Sequence, residues 1–158
     1  MTLDEYKKKR NFKKTSEPIG EEVKASSGKL KYAIQEHHAS HLHYDLRLEY
    51  DGVLLSWAIP KKPEKEGKAK RLAVQTEDHP LGYETFEGEI PKGEYGAGTV
   101  KIWDSGFWTP LEMSEDKIIA EISGEKLSGV WCLIRLKKDK FGKSGESKKN
   151  WLFFKKQN

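Results

Sequence analysis

Residues 42–50 constrain the fold more than any other stretch of this chain. Leu42, Tyr44, Leu46 and Leu48 alternate without a break with His43, Asp45, Arg47 and Glu49. A period of two is that of a strand with one packed face and one polar face. Asp51-Gly52 follows, a strong hairpin signal because a type I′ turn needs two residues that tolerate positive φ. The expected return strand runs from Val53 to Ile59 and stops at Pro60. A two-residue turn pairs Tyr50 with Val53, and hence Arg47 with Ser56 and Asp45 with Ala58. Small residues then stand opposite the polar pair, while Trp57 and Ile59 stand opposite Leu46 and Tyr44. One face of this hairpin is filled; the other has room.

Further short strands are expected over 31–35, 72–76, 99–103, 118–122, 129–136 and 151–154. Turns such as Asp78-His79-Pro80 and the glycine-rich stretch from Lys92 to Gly98 separate them. That stretch lacks the Lys-Ser/Thr of a phosphate-binding Walker loop and reads as a tight turn. The pattern shows no internal repeat and no long helix. It predicts a mainly β chain, a compact antiparallel barrel of about eight short strands. With 35% hydrophobic and 34% charged residues, five Trp, six Tyr and six Phe must supply much of the buried area, and such side chains suit a pleated, half-buried surface.

The 158 residues fit one domain. The expected division is a basic N-terminal arm over 1–29 and the barrel over 30–158. The arm carries Lys7-Lys8-Lys9-Arg10 and Lys13-Lys14 around Phe12, with a helix start at Thr2-Leu3-Asp4-Glu5 and a turn at Glu17-Pro18-Ile19-Gly20. It can lie on the domain and touch phosphates, but its composition favours a solvated tail. Residues 137–150, rich in Lys, Ser and Gly, read as a mobile loop. The net charge of +4 suits a polyanionic partner. The one cysteine, Cys132, excludes an internal disulfide and reads as a small buried hydrophobe. No apolar run reaches the roughly 18 residues of a membrane helix, and no secretory signal opens the chain. The expectation is a soluble, cytoplasmic protein.

The chemistry gathers in His-His-Ala-Ser-His-Leu-His-Tyr-Asp-Leu-Arg, from His37 to Arg47. On an extended segment, His43, Asp45 and Arg47 project from one face at roughly 7 Å spacing. His37 precedes Ala39-Ser40, where the strand can kink, so its direction stays open. Two imidazoles and a carboxylate form a mixed ligand set suited to manganese, iron or zinc, and an arginine beside them can grip a phosphate bidentately. Clustered histidines also occur in polar loops, and this spacing matches no closed structural zinc site.

Longer blocks carry a resemblance. They are Gln35-Glu36-His37-His38-Ala39, Leu42-His43-Tyr44-Asp45-Leu46-Arg47-Leu48-Glu49, Asp51-Gly52-Val53-Leu54 and Ser56-Trp57-Ala58-Ile59-Pro60-Lys61. Arg71-Leu72-Ala73-Val74, Glu77-Asp78-His79-Pro80-Leu81-Gly82-Tyr83, Phe86-Glu87-Gly88 and Ile90-Pro91-Lys92-Gly93-Glu94-Tyr95-Gly96-Ala97-Gly98 continue them. Together they resemble the phosphoesterase domain of bacterial DNA ligase D, in that family's order and over most of the chain.

The resemblance implies a compact β-barrel that repairs 3′ ends with manganese, or another divalent transition metal, in DNA repair by non-homologous end joining. It would remove a 3′-terminal ribonucleoside as a phosphodiesterase, then the 3′-phosphate as a phosphomonoesterase, leaving a ligatable 3′-OH. His37, His43 and Asp45 would be the metal ligands. Arg47, His79 and Tyr83 would hold the scissile phosphate, with Lys61, Arg71, Gln35 and Glu77 in support. Arg10 and Glu17 match the family's N-terminal Arg and Glu through a loose alignment. The implied partners are DNA or RNA–DNA 3′ ends and a separate ligase and polymerase, with the chain acting as a free-standing monomer away from membranes. The competing reading is a non-catalytic barrel that binds nucleic acid ends through basic and aromatic residues.

Overall fold

The hairpin of residues 42–59 forms in the expected register in the computed structural model, which describes residues 3–19, 24–26, 28–137 and 147–157. β2 (Leu42–Tyr50) and β3 (Val53–Ile59) pair with Arg47 opposite Ser56 and Asp45 opposite Ala58. Asp51 and Gly52 have φ of 51° and 83°, the left-handed pair a type I′ turn demands. β1 (Leu30–His38) lies on the other edge of β2, antiparallel, placing His37 opposite His43 and Gln35 opposite Asp45. The chain therefore turns back at residues 39–41, and the two histidines meet across the ladder.

The remaining strands are β4 (Arg71–Gln75), β5 (Gly88–Ile90), β6 (Gly98–Met113), β7 (Lys117–Gly124), β8 (Ser128–Arg135) and β9 (Asn150–Lys155). Neighbours run β1-β2-β3-β4-β9-β8-β7-β6, and β6 returns to β1, so eight antiparallel strands close a barrel with β5 attached to β6. β6 is far longer than the expected 99–103. It pairs with β1 along one edge, and with β5 and then β7 along the other. Pro110 lies at a register shift against β7 and beyond the last β1 pair at Trp108, a place where a strand tolerates proline.

Leu42, at the start of β2, is exposed, but Tyr44, Leu46 and Leu48 point into the barrel. They pack with Trp57, Trp108, Trp131 and Trp151, four of the five tryptophans. Trp57 meets Trp151 edge to face at 5.6 Å between centroids, and Trp131 stacks on Phe153 at 4.7 Å. Cys132 is buried, as expected. A second apolar cluster, Tyr6, Leu54, Leu81, Tyr83, Phe86, Ile90 and Val100, covers the outer wall. Leu54 joins it because it faces away from its neighbours Val53 and Leu55.

That outer layer corrects the reading of the N-terminus as a solvated tail. α1 (Asp4–Lys8) buries Tyr6 completely, and Thr15 and Glu17 are buried behind it. One apolar ring among charged residues anchors the segment, and composition alone does not weigh it. Of the loop expected over 137–150, residues 138–146 lie outside the described residues, while 147–149 form a 3₁₀ turn and Asn150 begins β9. Among the described residues no helix is long and apolar enough to cross a membrane.

Candidate active site

The outer layer leaves a cavity of about 320 Å³ over the β1–β2–β3 wall, lined among others by Arg10, His37, His43, Asp45, Arg47, Glu77, His79 and Tyr83. Strand alternation puts His43, Asp45 and Arg47 on this wall, and the β1–β2 ladder adds His37. The ligand atoms of His37, His43 and Asp45 lie within 4.8 Å of one another.

Hydrogen bonds fix the two imidazoles. His37 Nε2 donates to the carbonyl of Gly96 at 2.6 Å, so its Nδ1 turns a lone pair towards Asp45 Oδ2 at 3.3 Å. His43 Nδ1 donates to the carbonyl of His41 at 3.1 Å, and its Nε2 faces Asp45 Oδ1 at 3.3 Å. With both rings neutral, these lone pairs and the carboxylate converge on one point that a cation can occupy; a protonated ring instead pairs with Asp45. A backbone carbonyl holding the far nitrogen is also the outer-shell arrangement of metal-bound histidines. The donor set fits a divalent transition metal. Burial pushes the Asp45 carboxyl up, but Arg47 and the hydrogen bonds from His37 and His43 outweigh it and hold the group well below the usual carboxylate range. This carboxylate is ionised at any physiological pH.

Two guanidinium groups flank this centre. Arg47 donates through Nε to Gln35 Oε1 at 3.0 Å, its Nη2 lies 3.7 Å from Asp45, and its plane stands 5.0 Å from the Tyr83 ring. Gln35 is itself anchored by donating to the carbonyls of Tyr83 and Phe86 at 2.7 and 3.0 Å. Arg10 comes from the arm. It lies 4.0 Å over the Tyr6 ring and is gripped by Glu17 at 2.9 Å and Glu77 at 3.1 Å.

His79 is pinned by a two-bond bridge between its backbone and Leu54. Its Nδ1 donates to the carbonyl of Glu77 at 2.8 Å, leaving Nε2 to accept from Arg10 at 3.3 Å. Burial, then the charges of Arg47 and Arg10, push its pKa well below the ordinary value, so the ring is neutral. Tyr83 lines the cavity but donates its hydroxyl to Glu17 at 2.6 Å. Burial, reinforced by Glu17 against the pull of Arg47 and Arg10, keeps that phenol protonated.

Ten of the expected site residues thus converge: His37, His43, Asp45, Arg47, His79, Tyr83, Gln35, Glu77, Arg10 and Glu17. Lys61 and Arg71 do not. Lys61 is exposed just past Pro60, and Arg71 bonds the carbonyl of Lys62 at 3.0 Å and the carboxylate of Glu64 at 3.3 Å. The loop between β3 and β4 holds Arg71 to itself. Glu49, on the polar face in sequence, is buried because Ser26 and the amide of Lys31 hydrogen-bond it. Sequence reading missed Tyr6, the platform under Arg10, and Tyr95 and Thr76 on the cavity rim. Tyr95 lies inside the glycine-rich block, and that block is its one signal in the sequence.

Fold and site together define a closed β-barrel bearing a candidate metal-and-phosphate centre on its outer wall. The sequence profile of the DNA ligase D 3′-phosphoesterase domain matches residues 35–135, and the chain belongs to that family. It is 54% identical over 139 residues to the multifunctional non-homologous end joining protein LigD of Pseudomonas aeruginosa, covering 84% of this chain and 16% of that protein. The LigD of Mycolicibacterium smegmatis is 46% identical over 161 residues, 95% of this chain and 20% of that protein. The LigD of Mycobacterium tuberculosis is 46% identical over 143 residues, with 88% and 19% covered. The chain spans at most a fifth of the length of these relatives.

Proposed function

We propose that this chain heals the 3′ ends of DNA or RNA–DNA strands as a manganese-dependent phosphoesterase. It removes a terminal ribonucleoside and then the 3′-phosphate, so that a ligase and a polymerase can act on the 3′-OH. Family membership supports the reaction class. The observation that carries the reading is the convergence of His37 Nδ1 and His43 Nε2 on Asp45, beside two buried guanidinium groups.

His37, His43 and Asp45 would hold the manganese, which when bound would supply Lewis-acid polarisation of the phosphoryl group. Arg47 sits where its outer nitrogens can bond nonbridging phosphate oxygens, pre-aimed by Gln35. Such preorganised donors stabilise charge that grows in the transition state. Arg10 adds a second cation, aimed by Glu17 and Glu77. His79, neutral in the free site, orients Arg10 and can offer Nε2 to the phosphate once it takes up a proton. Tyr83 acts through Glu17, holding the carboxylate that positions Arg10. The supporting roles that the resemblance implies for Lys61 and Arg71 would be exerted from outside the cavity, with Arg71 held by Lys62 and Glu64. The basic arm over 1–29 is on this reading part of the catalytic unit with the barrel over 30–158, and the protein acts as a monomer.

A non-catalytic end-binding barrel explains the positive charge but gives no role to lone pairs aimed at one carboxylate. The test is a 5′-labelled strand ending in one ribonucleotide, incubated with protein and Mn²⁺. The expected products are a strand with a 3′-phosphate and then one with a 3′-OH, both prevented by chelator or by Asp45→Ala. Binding without any shortening would leave only the end-binding reading.

A further inference from the structure

A second, larger groove of about 500 Å³ adjoins the catalytic cavity, and Thr76, Glu77 and Tyr95 line both. The family's motif residues do not reach its far end, which is built by Arg135, Lys148 and Lys149, while Lys9 lies beside the shared residues Glu77 and Tyr95. The groove's two carboxylates are already neutralised. Glu5 and Glu77 each pair with Lys9 at 3.2 Å, and Glu77 also binds Arg10 at 3.1 Å. Arg135 pairs with Asp116 at 3.0 Å and lies 4.5 Å over Trp151. Lys148 and Lys149, both exposed, therefore give the far end its positive field.

Tyr95 stands at the junction. It is 47% exposed, and among the exposed large apolar side chains of the described residues it is the one that lines either cavity. Lys9 lies 4.8 Å and Arg10 5.2 Å from its ring centroid, which holds the ring at the mouth. An exposed aromatic followed by a cationic groove is the pairing that single strands use, with bases stacking and phosphates tracking the charge.

We propose that this groove is the track of the strand whose 3′ end enters the cavity. Tyr95 stacks on its terminal base, and Lys148 and Lys149 meet phosphates upstream. The inference rests on the nucleic-acid end reading above and adds to it a strand path and a stacking residue. The cavity of about 320 Å³ holds little more than a terminal nucleotide, so the strand must leave it, and the adjoining groove offers a path past Tyr95.

The experiment uses a short single strand ending in 3′-OH, with 2-aminopurine as its last base, so that binding is read without chemistry. Wild-type protein should quench the fluorophore. Tyr95→Ala should abolish the quenching and weaken binding by roughly tenfold, the scale of a single base stack, whereas Tyr95→Trp should restore both. Lys148→Glu/Lys149→Glu should keep the quenching at saturation. Its slope of log affinity against log salt should fall by about 0.7 for each phosphate that the lysines no longer neutralise. Its affinity for a nucleoside 3′-monophosphate, which fills only the cavity, should not change. Undiminished quenching in Tyr95→Ala, or an unaltered salt slope in the lysine variant, overturns the proposal. Hydrolysis of a 3′-phosphorylated strand by wild-type protein is scored separately. Groove binding without hydrolysis supports the track and indicts the catalytic reading alone; hydrolysis indifferent to these variants indicts the track alone.

Discussion

Glu17 accepts the hydroxyl proton of Tyr83 at 2.6 Å, and the same carboxylate oxygen takes the Nε–H of Arg10 at 2.9 Å. One buried acid in the N-terminal arm thus ties a cation of its own segment to the loop after β4. The arm belongs to the site because this carboxylate has no solvent to fall back on, and neither does Arg10.

Removing the two partners of this hydrogen bond should have unequal effects. Tyr83→Phe deletes one donor to a charged group and should cost about 1.5–3 kcal/mol. Glu17→Ala strips Arg10 of its Nε partner, leaving Glu77 alone to hold it, and leaves the Tyr83 hydroxyl without its acceptor, and should cost more, about 3–5 kcal/mol. The two changes should be strongly non-additive in a double-mutant cycle, because they remove the same bond. Urea unfolding of the four proteins measures this. Additive losses would mean that Tyr83 and Glu17 act independently.

The metal site should be visible in stability as well as in activity. A ligand at a hundredfold its Kd stabilises the folded state by about 2.7 kcal/mol, which for a domain of this size raises Tm by roughly 5–11 °C. Mn²⁺ should produce such a rise in the wild-type protein and none in Asp45→Ala or His43→Ala. Circular dichroism should show the barrel intact in both variants, since His43 and Asp45 project from the outer wall rather than into the core. Unchanged Mn²⁺ affinity in both would remove them as ligands.

The hairpin and its polar face were legible because a period of two and an Asp-Gly turn fix register locally, down to Arg47 opposite Ser56. His37 was harder. Its direction depends on the reversal at 39–41 and on pairing with β2, which local pattern does not encode. Arg10 and Glu17 were reached only by resemblance, since the burial of Tyr6 that brings them in is a tertiary event. Lys61 and Arg71 carry the right charge, but the chain between β3 and β4 keeps them from the cavity. The length of β6 was hidden by Gly106 and Pro110, residues that read as breaks unless both neighbouring strands are known.

The buried His79 should leave a signature in pH dependence. Its folded-state pKa lies well below the ordinary value through burial and the charges of Arg47 and Arg10. The unfolded chain then takes up the proton first. This residue's contribution to stability is complete above about pH 6.5 and is lost as pH falls, by up to about 1.4 kcal/mol per unit. His43 is shifted upward, the bonds and charge of Asp45 outweighing its burial, so it works in the opposite sense. The lowered carboxyl of Asp45 matters only below about pH 4. Comparing wild type with His79→Gln isolates the effect: the variant should lose less stability between pH 6.5 and 4.5. In metal-free protein the His79 ring signals should not titrate across pH 6–7 by NMR. A midpoint near 6.5 would contradict a buried neutral ring.

The two hydrolytic steps should depend differently on the loop after β4. A diester presents one negative charge and a nucleoside on the leaving side, whereas a terminal monoester presents more charge and less to hold. Cationic groups aimed at the phosphate should therefore weigh more in the second step. His79 and Tyr83 control such a group, for His79 Nε2 accepts from Arg10 and Tyr83 bonds the Glu17 that grips it. Neither touches the carboxylate of Asp45 within hydrogen-bonding distance. His79→Ala or Tyr83→Ala should accordingly leave the terminal ribonucleoside to be removed and stall the strand at its 3′-phosphate. Asp45→Ala and His43→Ala should stop the reaction before the first cut. A 5′-labelled strand ending in one ribonucleotide, followed over time on a gel, separates the two patterns. Equal loss of both steps in the loop variants would show that Arg10 serves a transition state common to both, and that the division of labour does not exist.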